Sequence, residues 1–295
     1  MRHHARRHRR DRAADPRDRA QGGERLTGAA PALAAAPGPR SEGGPAASAP
    51  AALPAGTLFV VATPIGNLED ITLRALRVLR GVDLVAAEDT RRTRALLAAY
   101  DVHAPVVSYF EHNQVRRGAE LLARLRAGAR IALVTDAGTP GVSDPGFRLV
   151  RLCQEAGVSV VPVPGAAAVI AALSAAGVPA DRFVFEGFLP VKPGRRLARL
   201  REVRALGRPV VLYESPHRLA ATLEAVAETF GDAEVVLARE LTKRFEEIRR
   251  APAAALRAHV LAQGARGEVT LVINAGRPAA AGPPAPGLPV PGEDA

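Results

Sequence analysis

Short apolar runs alternate with amphipathic stretches between residues 58 and 273, and loops rich in glycine, proline or acid follow the runs. The runs at 58–62, 82–87, 131–135 and 158–163 read as buried strands: each is five or six residues long and rich in Val, Leu and Ala or Ile. Helical spacing fills the gaps between them. Asp70 can cap a helix with apolar positions at Leu73, Leu76 and Leu79, and further helices fit 91–99, 115–127 and 147–156. Strand–helix alternation of this kind predicts a parallel sheet flanked by helices.

The character changes at Pro162, Pro164 and Gly165. A small-residue helix is expected at 166–176, strands at 182–185, 209–213, 234–238 and 268–273, and helices at 196–206, 216–230 and 252–261. The chain therefore reads as an α/β protein of two α/β domains, 56–165 and 166–276, with a ligand cleft between them. Residues 1–55 read as a disordered basic tail, mixing Arg and His with Ala, Pro and Gly; 277–295 read as a second loose tail.

Composition narrows the class. With 295 residues and 47% hydrophobic content there is material for a sizeable core. Cys153 is the sole cysteine, which excludes a disulfide framework and a thiolate metal cluster within the chain. No apolar run reaches the roughly 18 residues of a membrane span. The net charge is +10, and residues 1–55 carry ten Arg against five acids, leaving about +5 (10 − 5) for the rest. Lys192 and Lys243 are the only lysines, so the basic character is almost all arginine, which suits forked contacts to phosphate. A polyanionic partner such as nucleic acid fits this balance, as does a basic protein that binds nothing acidic.

The chemistry concentrates in loops at strand ends. The strand at 131–135 feeds Asp136, Gly138, Thr139, Gly141, Val142, Ser143, Asp144 and Gly146, a loop whose glycines let backbone approach a ligand closely. An acid inside it suits a ligand with hydroxyls or a positive centre. Thr63, Pro64 and Gly66 follow the first strand without the G-x-G-x-x-G of a dinucleotide site, and no P-loop occurs anywhere. Glu88 and Asp89 end the second strand; they can position a hydroxyl, or Asp89 or Thr90 can simply cap the next helix. His112 is a candidate base or a surface residue. Ser215 and His217 stand too close in sequence to form a hydrolytic triad with Glu214. Arg239, Lys243 and Arg244, with Lys192, Arg195 and Arg196, form basic loops that can hold a phosphate backbone or lie as solvated faces. No metal-ligand spacing is present.

Taken in order, Thr63–Leu68, Ala87–Arg91, Glu111–Asn113, Thr135–Gly146, Tyr213–Arg218 and Ala238–Lys243 resemble the tetrapyrrole methylase, or class III methyltransferase, superfamily. Within it they resemble the branch that methylates small-subunit ribosomal RNA. The resemblance implies a cytoplasmic homodimer using S-adenosylmethionine to methylate the ribose 2′-hydroxyl of a cytidine in the decoding region of 16S rRNA. It implies cofactor contacts at Pro64, Gly66, Asp136, Gly138, Thr139, Val142, Ser143, Pro164, Gly165 and Ala166, with adenine contacts at Leu189 and Leu271. Glu88, His112 and Glu240 would be the candidate general bases, and Arg91, Lys192, Arg195, Arg196, Arg239, Lys243 and Arg244 the RNA-binding cations. At the domain junction, Ala166 and Ala167 stand where that group carries Pro and then Ser or Cys, and Arg266 stands for a Lys. Rival readings are a same-fold methyltransferase for a tetrapyrrole or other small acceptor, and a non-catalytic rRNA-binding protein.

Overall fold

A computed structural model of the chain describes residues 52–144 and 146–275. The tail expected at 277–295 and nearly all of that expected at 1–55 lie outside the described residues.

The first half is β1 (Thr57–Val61), α1 (Leu73–Gly81), β2 (Leu84–Ala87), α2 (Thr90–Ala99), β3 (Val106–Ser108), α3 (Gln114–Arg126), β4 (Ile131–Val134), α4 (Phe147–Glu155) and β5 (Ser159–Val163). Its five strands pair in the order β3-β2-β4-β1-β5, and every pairing is parallel. Strand side chains alternate between the two faces. Phe59, Val61, Val85 and Val134 pack against α1 and α2, while Leu58, Leu84, Ile131 and Leu133 pack against α3 and α4. Burial on both faces explains why these strands read as unbroken apolar runs.

That arrangement fixes where a ligand can go. The chain leaves β1 towards β2 under α1, and leaves β4 towards β5 under α4, on the opposite face. Because β1 and β4 are neighbours, their two outgoing loops diverge and open a crevice at the carboxyl ends of the strands. Thr63 and Gly138 bridge its floor, each N–H donating to the other's carbonyl at 2.9 and 3.1 Å.

The second half is α5 (Ala168–Ala176), β6 (Val184–Phe188), α6 (Pro193–Ala205), β7 (Val210–Glu214), α7 (Leu219–Phe230), β8 (Glu234–Arg239), β9 (Glu247–Pro252), α8 (Ala253–Gln263) and β10 (Val269–Ile273). Its sheet runs β6-β7-β10-β8-β9, with only β6 and β7 parallel. Helices α6, α7 and α8 cover one face; α5 and Ile65 from the first half cover the other. Both sheets belong to one compact unit.

Two local expectations for helix α1 are corrected, and one strand is added. Helix α1 is capped by Thr72, whose hydroxyl accepts from the Ala75 N–H at 3.1 Å, while Asp70 closes a 3-10 turn before it. Its core face is Ala75, Val78 and Leu79, leaving Leu73 87% exposed. Strand β9 has no counterpart among the expected strands, because an edge strand with Glu, Arg and Ala on one face lacks the apolar run that marks a buried one.

Candidate functional site

The crevice between β1 and β4 continues into the seam between the halves and holds two joined lobes. One, of about 390 Å³, lies under the glycine loop and is walled by Val142, Ala167, Ala168, Phe188 and Tyr213. Glu88, Asp136, Asp144 and Glu268 also line it, against a single cation, Arg92; Glu214 borders it but keeps its carboxylate buried against Thr222 and Arg218. The other, of about 400 Å³, lies between the loop after β1 and helix α2; Pro64, Gly66, Ala95, Leu96, Arg92 and Lys243 are among its lining residues.

Asp136 ties the first half together at this point. Its Oδ1 accepts from the Asp89 N–H at 3.0 Å and its Oδ2 pairs with the Arg92 guanidinium at 3.3 Å. Asp89 in turn caps α2, accepting from the Arg91 N–H at 2.7 Å. The seam depends on close backbone approach. A side chain on Gly66 would run into Lys243 and meet the Leu241 carbonyl at 3.0 Å; one on Gly187, which sits at φ +64°, would meet Ser143 Oγ at 2.8 Å.

The acids are crowded. Burial raises the Glu88 carboxyl above its ordinary range, and the Asp136 carboxylate adds to the effect. Burial likewise pushes Asp144 up to about 6, with the Glu88 charge next in importance. Two half-buried carboxyls with raised pKa values beside a cleft are suited to taking up a proton or facing a positive ligand.

The candidate residues separate clearly. Pro64, Gly66, Glu88, Asp136, Gly138, Val142, Ser143 and Lys243 line the two lobes. Thr139 lines neither, its hydroxyl donating to the Ala166 carbonyl at 3.2 Å; Pro164 and Gly165 are exposed beside this junction. Of the three candidate bases only Glu88 reaches the cleft. His112 is exposed and stacks edge-on against Phe110, and Glu240 is held by Lys243 at 2.8 Å and the Glu268 N–H at 2.9 Å, which lower its pKa.

Leu189 and Leu271 are corrections: both side chains lie in the core beneath α6, α7 and α8, not in the cleft. The period of two puts their neighbours Phe188 and Thr270 on the cleft side instead. Arg196 is a correction too. It is 5% exposed and donates to the carbonyls of Pro190 and Val191, so it staples a loop instead of meeting solvent. Arg239 is paired with Glu247 at 2.9 Å, whereas Arg91, Lys192, Arg195 and Arg244 are exposed. Arg92, Phe188 and Glu268 line the cleft without being among the expected site residues; Asp144 and Tyr213 line it too, and for them the sequence signal is their place in the glycine loop and in the Tyr213–Arg218 stretch.

Against known proteins, the Tetrapyrrole (Corrin/Porphyrin) Methylases family model matches residues 57–257. Among solved structures, a cobalt precorrin-4 methyltransferase aligns with TM-score 0.57 at 20% identity, over 74% of this chain and 94% of its own. The uroporphyrin-III C-methyltransferase of Thermus thermophilus, complexed with S-adenosyl homocysteine, aligns with TM-score 0.54 at 20% identity, over 74% and 97%. These likenesses show the fold. Curated relatives are much nearer in sequence. Ribosomal RNA small subunit methyltransferase I of Pseudomonas aeruginosa is 52% identical over 74% of this chain and 79% of its own length. The protein of the same name from Synechocystis is 49% identical over 76% and 80%. The chain belongs to the tetrapyrrole methylase family and, within it, to the ribosomal RNA small subunit methyltransferase I group.

Proposed function

We propose that the protein transfers a methyl group from S-adenosylmethionine to the ribose 2′-hydroxyl of a cytidine in the decoding region of 16S rRNA. It would act in the cytoplasm, as a homodimer, on the small ribosomal subunit. The observation that carries the reading is the acid-rich lobe under the glycine loop, in a chain about half identical to enzymes named for this RNA.

The residues present fit the cofactor. A sulfonium is a cation, and Glu88, Asp136 and Asp144 offer it negative charge; loop backbone at Gly138 and Ser143 can reach polar groups, and Phe188, Tyr213 and Ala168 give an adenine an apolar wall. Bound there, S-adenosylmethionine supplies an already activated methyl group. What remains for the chain is alignment, exclusion of water and removal of the hydroxyl proton. Glu88, whose pKa is raised by burial, is the group best suited to take that proton, with Asp144 beside it to share the charge. Exposed Arg91, Lys192, Arg195 and Arg244 would hold the RNA backbone. Among the described residues no group of acids, His and Cys is arranged to hold a metal ion, and no helix is long and apolar enough to cross a membrane.

The test is transfer of labelled methyl from S-adenosylmethionine to small subunits that lack the modification, with mapping of the labelled nucleoside. Labelled 2′-O-methylcytidine in 16S rRNA is the expected product. Label on a base, or on a small molecule in place of RNA, would sink the reading.

A further inference from the structure

The two lobes of the cleft differ in charge, and the difference sorts the ligands. The carboxylates of Glu88, Asp136, Asp144 and Glu268 and one arginine line the lobe under the glycine loop, while the Glu214 carboxylate is buried away from it against Thr222 and Arg218. The lobe against α2 balances Arg92 and Lys243 against Asp136 and Glu268, over an apolar wall of Leu68, Leu96 and Ala99. A cationic cofactor gains in the first and nothing in the second. A nucleotide, whose phosphate is an anion, would be repelled by the first, while the flat face of its base can lie against the apolar wall of the second.

We infer that the lobe against α2 is the pocket for the single acceptor nucleotide, extruded from its RNA, with Arg92 as the cation that meets its phosphate. This assignment rests on the RNA-methylating reading above. About 400 Å³ is within the range of small-molecule sites, and enzymes that act on one nucleotide of a structured strand commonly take it out of the stack.

Arg92 is placed for this role. It lines both lobes, as do Ile65, Asp136, Ala137 and Glu268, so the pockets meet at its side chain. Its side chain is 67% exposed and its bond to Asp136 is a single contact at 3.3 Å, so exchanging that partner for a phosphate costs little. Lys243 is less available, being held by Glu240 at 2.8 Å and Glu268 at 3.0 Å. Exposed Arg91 and Arg94 flank Arg92 on the first turns of α2 and continue the basic rim outward for neighbouring phosphates. A ribose entering here reaches the junction of the lobes from the α2 side, at Asp136, Ala137 and Arg92, where a methyl donor and an acceptor must meet.

Ala95→Trp fills the lobe from an exposed position on α2, and Arg92→Ala removes the cation. Calorimetric titrations of the full chain with S-adenosylmethionine, cytidine and cytidine 5′-monophosphate would be combined with KM for unmodified small subunits and a melting temperature for each variant. For Ala95→Trp the expected result is a rise in subunit KM of about tenfold or more and loss of cytidine monophosphate binding, with cofactor affinity within about twofold and an unchanged melt. Arg92→Ala should abolish the preference for cytidine monophosphate over cytidine. An unchanged KM in Ala95→Trp, or loss of cofactor binding in place of nucleotide binding, would overturn the assignment. Wild-type protein that binds cytidine monophosphate in an Ala95-dependent way but transfers no methyl to rRNA would leave the pocket standing and remove the RNA-methylation reading. Binding of neither nucleotide nor subunit removes both.

Discussion

The two halves bring different parts to the cleft. In the first, all five strands run the same way, so every strand end faces one side and the loops after β1, β2 and β4 deliver Gly66, Glu88 and Asp136 together. In the second, three of the four strand pairings are antiparallel, so its strand ends are split between two sides. It meets the cleft at one end of its strands, with Phe188 closing β6, Tyr213 near the end of β7 and Thr270 near the start of β10, and with the hairpin that presents Lys243. Parallel topology concentrates chemistry, while a mixed sheet supplies walls and rigidity.

That contrast can be broken experimentally. The largest effect is expected in the wall. Glu214 is fully buried, accepting from the Ser215 N–H at 2.8 Å and the Thr222 hydroxyl at 2.5 Å and pairing with Arg218 at 3.3 Å, while Arg218 also holds the Leu189 carbonyl at 2.6 Å. Glu214→Ala strands those partners and should cost about 3 kcal/mol in denaturant unfolding. A loss under 1 kcal/mol would mean that the network contributes no rigidity.

Next comes the junction in the first half. Asp136→Ala frees both the Asp89 amide and Arg92. Methyl transfer should fall about a hundredfold, with less change in stability than for Glu214→Ala, because a misplaced site costs rate before it costs folding. Equal losses in melting temperature for the two variants would erase the division between chemistry and wall.

A smaller effect tests the crowded acids by pH. Asp144 titrates at about 6 in the folded chain against an ordinary value of 3.8. A carboxyl raised on folding favours the folded state below its unfolded pKa and loses that contribution as pH rises through the folded pKa. Asp144→Asn should therefore raise stability at pH 7.5 by on the order of 1–2 kcal/mol, after discounting for solvent screening, and by almost nothing below about pH 3. A cation in the lobe would lower the Asp144 pKa, so wild-type affinity for S-adenosylmethionine should tighten between pH 5 and 7. Thermal melts and titrations across that range decide both points, and a flat profile would remove Asp144 from the site.

The smallest effect is expected at the outer edge of the second sheet. Glu234 and Arg250 pair there across β8 and β9 with both side chains well exposed. Glu234→Ala should leave the melting temperature within about 2 °C. A larger drop would show that the edge strand is held by its charges and not by its ladder.

The legible parts of the sequence were those governed by local rules. Buried parallel strands announce themselves as apolar runs, and the glycine loop after β4 marks its own ligand. Strand β9 was missed because its ladder is made by backbone, leaving side chains free to look like a loop. Leu189 and Leu271 were placed one residue off the cleft side because only the sheet fixes which parity of a strand faces which layer. Arg196 was read as a surface cation, since a sequence does not say that two carbonyls wait for it.

By itself, then, the order of residues determined the α/β class, the loops that carry chemistry and the family, all of which depend on spacing along one strand or helix. Tertiary structure alone decided that Glu88 reaches the cleft while Glu240 is spent on Lys243, that Asp144 is crowded to about 6, and that Arg92 stands where two lobes meet. Those outcomes depend on neighbours far along the chain, Glu268 for Glu240, Glu88 for Asp144 and Asp136 for Arg92, whose charges and hydrogen bonds act through space and leave no local mark on the sequence.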